Sequence, residues 1–164
     1  MINSELIRGY VPGALGRVAE LHGKYYNQHW GFGLNFESRV ARGFAEFLER
    51  YDKIRDGIWL ATRNGTVEGS IVIDGLHAEI EGANLRWFIV SDALRGTGMG
   101  SKLINAAIEH CRQQEYTSVY LHTFEGLDAA KHLYEKSGFQ LIEQHTGTQW
   151  GTEVNEQKFL LEID

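Results

Sequence analysis

Proline and cysteine each occur once in these 164 residues, at Pro12 and Cys111. A lone cysteine excludes an internal disulfide framework and suits a reducing compartment such as the cytoplasm. No linker, internal repeat or low-complexity segment interrupts the chain, so a single domain over residues 1–164 is expected. There is no apolar run long enough to span a bilayer and no signal-peptide pattern, so no membrane partner is expected. Basic charge is in deficit, with 16 Lys and Arg against 22 Asp and Glu. The net charge of −6 argues against nucleic acid as the main partner and is compatible with a cationic amine. Histidines at 22, 29, 77, 110, 122, 132 and 145 form no zinc-type spacing with Cys111, so no metal site is expected.

What the chain does have is a glycine-rich turn in a telling place. An apolar run, Leu85-Arg86-Trp87-Phe88-Ile89-Val90, leads to Arg95-Gly96-Thr97-Gly98-Met99-Gly100. Behind it, Leu103, Ile104, Ala107, Ile108 and Cys111 are spaced as one buried helical face. Strand, glycine turn and helix N-terminus in that order make an anion site, because free N–H groups and the helix dipole favour negative charge there. A phosphate-bearing ligand is expected. A dinucleotide fingerprint would need a third glycine where Ser101 or Leu103 stands, and a P-loop would need glycine directly before Lys102. Both readings fail.

A second segment follows: Ala129-Ala130-Lys131-His132-Leu133-Tyr134-Glu135-Lys136-Ser137-Gly138-Phe139. Ala129, Ala130, Leu133 and Tyr134 form a helical stripe, and Gly138 fits a left-handed stop. Together, Arg-x-x-Gly-x-Gly and Leu-Tyr-Glu-Lys-x-Gly-Phe, in this order, resemble the two signatures of the GNAT superfamily of acetyl-CoA-dependent N-acyltransferases.

The remaining elements follow from pattern. Pro12 opens a helical stretch with Leu15, Val18, Ala19, His22, Tyr25 and Tyr26 on one side, and Asn35 is placed to cap a second helix with the stripe Phe36, Val40, Phe44, Phe47, Leu48 and Tyr51. Asn64-Gly65 between the runs 58–62 and 67–74 signals a hairpin. Strands at 85–90, 118–123, 139–143 and 157–162 alternate with helices at about 98–113 and around Tyr134. The order is α+β, a mixed central sheet flanked by helices, and it is the GNAT order. Residues 16–48 are further similar to acetyltransferase domains fused to MarR-type regulators. No winged-helix module precedes them, and Met1 stands only a few residues before the first helix, so transcriptional regulation is not expected.

The resemblance carries site expectations. It implies that the backbone amides of Gly96, Thr97, Gly98, Met99, Gly100 and Ser101 hold the pyrophosphate of acetyl-CoA, with Arg95 supplying charge or ordering the loop. Phe88, Ile89 and Val90 would line the pantetheine arm, and an amide near Phe88 or Ile89 would serve as oxyanion donor. Tyr134 falls on the family position that protonates the departing thiolate; with an ordinary pKa of about 10 it can donate at neutral pH. Thr123 and the 128–131 turn are weaker cofactor contacts, and Leu127 stands where many relatives carry an asparagine. Glu79 and Glu81 occupy the region where some members place a general base, although a surface turn explains them equally well. His22, Tyr25, Tyr26, His29, Trp30 and Phe32 cluster beside the acceptor end. Trp150 lies in an expected loop, 144–156, over that end. The implied activity is acetyl transfer to a primary amine, of a small molecule rather than a protein lysine or N-terminus. The other class is a non-catalytic acyl-CoA-binding sensor. Homodimers are common in the family.

Overall fold

The computed structural model describes residues 3–164; Met1 and Ile2 lie outside the described residues. A seven-stranded mixed sheet carries the fold, with strands β1 (Ser4–Arg8), β2 (Gly57–Arg63), β3 (Thr66–Asp74), β4 (Ala83–Val90), β5 (Ser118–Phe124), β6 (Gln140–Gly147) and β7 (Val154–Glu162). Its spatial order is β1-β2-β3-β4-β5-β7-β6. Among the described residues only β4 and β5 pair in parallel. Helices α1 (Ala14–Trp30) and α2 (Leu34–Glu49) cover one face, and α3 (Met99–Gln113) and α4 (Asp128–Lys136) the other.

The helical stripes are where their periodicity puts them. Leu103, Ile104, Ala107, Ile108 and Cys111 of α3 pack on Ile71, Ile73, Leu121 and Phe159. On the opposite face Phe44 and Phe47 of α2 meet Ile58, Leu60 and Val72. Central strand β2 is buried from Gly57 to Thr62 because helices cover both of its sides, so it reads as an apolar run without alternation. Asn64 (φ 51°) and Gly65 (φ 81°) make the two-residue turn of the β2–β3 hairpin, with Arg63 opposite Thr66.

Three local expectations are corrected. The helix begun at Pro12 is preceded by β1, a short edge strand whose apolar content is only Leu6 and Ile7. Its position follows from antiparallel pairing with β2 rather than from its own pattern. Asn35 does not cap α2: Leu34 is already helical, and the Gly33 carbonyl accepts from Phe36 and Glu37 at 3.1 and 3.2 Å. The expected loop 144–156 is mostly strand, since β6 and β7 pair from Gln140–Leu160 to Gly147–Val154. Exposure along nearly all of β6 removes the hydrophobic alternation that would have marked it.

β4 and β5 pair only at Ala83–Val119 and Asn84–Tyr120. Beyond those two rungs they diverge, and the opening faces the glycine turn and α4.

Candidate active site

The divergence begins at a β-bulge. Ser70 pairs with Ile89 and Val72 with Arg86, so Trp87 and Phe88 together oppose Ile71. Trp87 has φ 46°, a costly conformation for a bulky side chain. It is held by the Ser70 hydroxyl, which donates to the Trp87 carbonyl at 2.6 Å, and by ring contacts to Phe44 and Phe47 at 5.0 and 5.8 Å. The extra residue leaves Arg86 and Trp87 both on the α2 side and turns Phe88 toward α4, 5.9 Å from the ring of Tyr134. Every peptide among the described residues is trans. With the Trp87 carbonyl taken by the Ser70 hydroxyl, the Phe88 N–H points away from that hydroxyl.

The gap between the diverging strands is a cavity of about 290 Å³ lined by β4 and β5, by His22 and Tyr26 of α1, by Phe36, Arg39 and Val40 of α2, by Ala130 and Tyr134 of α4, and by Gln149 and Trp150 of the β6–β7 turn. Of the earlier aromatic cluster, His22 and Tyr26 reach it; Tyr25 and His29 are exposed, and Trp30 packs on Phe124 at 5.1 Å. Trp150 closes the far side, 5.4 Å from Phe124.

The glycine turn leads out of β4 through a short 3₁₀ turn at Asp92–Leu94. Gly96 and Gly98 both have φ 76°, which lets the chain reverse before α3 begins at Met99. Its first helical bond runs from Lys102 N–H to the Gly98 carbonyl at 3.2 Å. Thr97 N–H is taken by the Leu94 carbonyl, and Met99 N–H by Thr97 Oγ1 at 3.3 Å. Among the described residues, the N–H groups of Gly96, Gly98, Gly100 and Ser101 have no protein acceptor. A Cβ at Gly96 or Gly98 would meet nothing within 4 Å, so the space above those amides is open. Four free amides at a helix N-terminus fit a diphosphate. The Met99 side chain is core, and Arg95 is exposed and paired to Asp92.

Tyr134 is set by the end of its own helix. Gly138, at φ 102°, sends its N–H to the Glu135 carbonyl at 3.1 Å, and Phe139 N–H returns to the Tyr134 carbonyl at 3.0 Å. This is a Schellman stop, and its usual apolar contact is the Tyr134–Phe139 ring pair at 5.9 Å. The second sequence motif is thus a device for holding one tyrosine. Tyr134 is buried, yet it lines the cavity, and its hydroxyl has no hydrogen-bond partner among the described residues. Burial, with Tyr26 nearby, pushes its pKa well above that of an ordinary phenol. It is a protonated donor throughout the neutral range.

The cavity lining carries imidazoles and no carboxylate. Glu79 and Glu81 are exposed in the turn ahead of β4 and do not line the cavity. The cavity holds two imidazoles instead. The His22 ring is buried, and its Nδ1–H donates to the Val18 carbonyl at 2.8 Å. That bond makes Nε2 the lone-pair side, and burial lowers the pKa to about 4. His122 on β5 is more exposed; burial and the Lys158 ammonium lower its pKa, with Glu143 and Glu156 opposing them. Arg39, Arg86 and His122 carried no recognisable motif, and only the pairing of distant elements brings them together. Thr123 and Leu127 also line the gap. Cys111 is buried, its thiol pushed up to about 12.

Comparison with known proteins places this architecture. The model of the acetyltransferase (GNAT) family matches residues 17–139. A mycothiol acetyltransferase from Thermobispora bispora is 34% identical over 103 residues, which covers 60% of this chain and 32% of the relative. The chain therefore aligns with about a third of that curated relative's length. A GNAT-family acetyltransferase structure from Staphylococcus aureus Mu50 superposes with a TM-score of 0.77 at 17% identity, covering 99% of this chain and 100% of that one. The Salmonella typhimurium protein yncA, solved with its cofactor acetyl-CoA, gives a TM-score of 0.69 at 17% identity over 97% and 94% of the two chains. At these identities the structures attest the fold. No helix among the described residues is long and apolar enough to cross a membrane, and no group of three or more His, Cys, Asp or Glu among them could hold a metal ion.

Proposed function

The chain belongs to the acetyltransferase (GNAT) family, and from that premise we propose that it transfers acetyl from acetyl-CoA to a primary amine of a small molecule by direct attack. The observation that carries this reading is the Tyr134 hydroxyl, unpartnered among the described residues, on a cavity that Phe88 also lines. A module that only binds the cofactor has no use for a buried proton donor aimed into its gap.

Acetyl-CoA, when bound, supplies an acetyl thioester. The amides of Gly96, Gly98, Gly100 and Ser101 hold its diphosphate, and Phe88 and Val90, on the α4 side of the diverging strand, flank its arm. Close approach of α3 and α4 depends on Gly100, where a Cβ would lie 3.0 Å from Leu133 Cδ1. The Phe88 N–H stabilises the carbonyl oxygen as negative charge builds on it. His122, neutral at pH 7 because its pKa is lowered, accepts the proton that the amine nitrogen sheds. As the nitrogen–carbon bond forms, the carbon–sulfur bond breaks, and the sulfur leaves with the Tyr134 proton. Glu79 and Glu81, standing outside the cavity, are not assigned this work.

The test is thiol release from acetyl-CoA with a panel of amines, for the wild type and Tyr134→Phe. The variant is expected to lose about 10²- to 10³-fold in kcat while its calorimetric affinity for acetyl-CoA is retained. Equal loss of binding would make Tyr134 structural. Acetyl-CoA binding without turnover of any amine would favour the sensor.

A further inference from the structure

The acceptor end of the cavity carries guanidinium groups and no carboxylate. Its titratable lining residues are His22, Tyr26, Arg39, Arg86, His122 and Tyr134, in a chain whose net charge is −6. Arg86 is firmly placed. It stacks 4.0 Å over the Trp87 ring, its Nη1 donates to Asp74 Oδ2 at 3.1 Å, and its Nη2 lies 3.6 Å from where a Cβ on Gly43 would stand. Asp74 is also gripped by both Nη atoms of Arg50, at 2.9 and 2.6 Å. One carboxylate thus serves two guanidinium groups, which leaves a net positive charge at Arg86.

Arg39 adds to it. It is exposed, lines the cavity and forms no ion pair among the described residues. Arg39 and Gly43 are four residues apart on α2, hence on one face with Cβ positions about 5–6 Å apart. Because Arg86 lies over Gly43, its guanidinium stands one helical turn from the Arg39 backbone position, and both side chains line the same cavity. A polyamine or aminoglycoside would be repelled here, whereas a carboxylate would find two planar guanidinium donors. Tyr26, Phe36, Phe124 and Trp150 supply apolar wall beside them. The bulge makes this arrangement, since it sets Arg86 and Trp87 side by side on the α2 face.

We propose that the acceptor is a free amino acid with an apolar or aromatic side chain, its carboxylate held by Arg39 and Arg86 and its side chain against the Tyr26–Phe36–Phe124–Trp150 wall. This assignment rests on the acetyl-transfer reading above and names its substrate class. The amino nitrogen bonds to the acetyl carbon as the carbon–sulfur bond breaks; the products are an N-acetyl amino acid and CoA thiol. The nitrogen sheds one proton and the sulfur gains one. Protein N-termini and lysine side chains lack a carboxylate at that distance from the amine, so the site selects against them.

The experiment measures thiol release with phenylalanine, leucine and methionine, each beside its decarboxylated amine and its amide, together with spermidine and a lysine peptide. The amino acid is expected to exceed its decarboxylated amine in kcat/KM by about 10- to 100-fold, and Arg39→Gln and Arg86→Gln each to cut that ratio severalfold or more. Arg39 is exposed, so its substitution leaves the packed core intact. Equal turnover of amino acid and decarboxylated amine, preference for spermidine, or an unchanged ratio in Arg39→Gln overturns the acceptor assignment and leaves acetyl transfer standing. If no amine releases thiol, calorimetry of phenylalanine with the CoA-saturated protein decides. Binding that Arg39→Gln abolishes sustains the carboxylate site and overturns the catalytic reading; absence of binding overturns both.

Discussion

Burial fixes the charge state of His22. The ring is buried and stacked on Tyr26 at 6.2 Å, and this outweighs the opposing bond from its Nδ1–H to the Val18 carbonyl. The folded protein therefore keeps this imidazole neutral down to about pH 4, whereas in the unfolded chain it protonates near its ordinary value of about 6.5. Above that value neither state is charged and the full stability is present. As pH falls below it the unfolded chain takes up a proton the folded chain refuses, so stability drains away between about 6.5 and 4 and amounts to roughly 3 kcal/mol. His110, whose Nδ1 accepts from Arg8 at 3.2 Å and whose Nε2–H donates to the Arg55 carbonyl at 3.1 Å, is lowered too and adds loss of the same sign. Urea midpoints of the wild type are expected to fall more steeply with acid than those of His22→Phe. Parallel slopes would show that His22 is not the sensitive group.

At the scale of elements, two glycines separate catalysis from binding. Gly138 ends α4 at φ 102°, and a Cβ there would lie 3.1 Å from Leu161 Cδ1. Gly138→Ala should cost about 1–2 kcal/mol in thermal unfolding. Because the stop also holds the Tyr134 carbonyl, kcat should fall more than acetyl-CoA affinity. Gly98 ends the other loop at φ 76° with open space around it. Gly98→Ala has room for its methyl but not the preferred backbone, so the amides should tilt away from their shared focus. A rise of about 3- to 10-fold in KM for acetyl-CoA, at nearly constant kcat, is the expected steady-state result. A kcat effect of equal size would tie this loop to the chemical step.

Across the whole molecule, three apolar clusters share one sheet, and tryptophans report on all of them. Trp59 lies in the cluster beneath α3, Trp87 beneath α2, and Trp30 and Trp150 at the open end beside Phe124. A single cooperative domain predicts that tryptophan fluorescence and far-ultraviolet circular dichroism will trace the same denaturant curve. Separated transitions would divide the α1–α2 side from the α3–α4 side.

Short-range chemistry was legible in the residues themselves. Left-handed glycines at 96, 98 and 138, the orphan amides at a helix start, the Asn64-Gly65 turn and the stripe of α3 depend on covalent geometry and on neighbours within a few positions. Those features sufficed for the sheet-and-helix order and for the turn and the helix end where the resemblance put the expected cofactor contacts and Tyr134. The opposite wall of the cavity did not follow from them. No local pattern announces a left-handed tryptophan. Yet Trp87, held by Ser70 and Phe44, shifts the register of β4, turns the Phe88 ring toward Tyr134 and sets Arg86 beside Gly43. His122 faces the cavity because β5 parts from β4 after two rungs, and Glu79 and Glu81 miss it because the preceding turn stays at the surface. A backbone preference is settled by its nearest neighbours, but which side chains meet across a cavity is settled by register and packing between elements far apart in the chain. The glycine turn and the Tyr134 helix are therefore written in the sequence, and the cavity lined by Arg39, Arg86 and His122 exists only in the folded molecule.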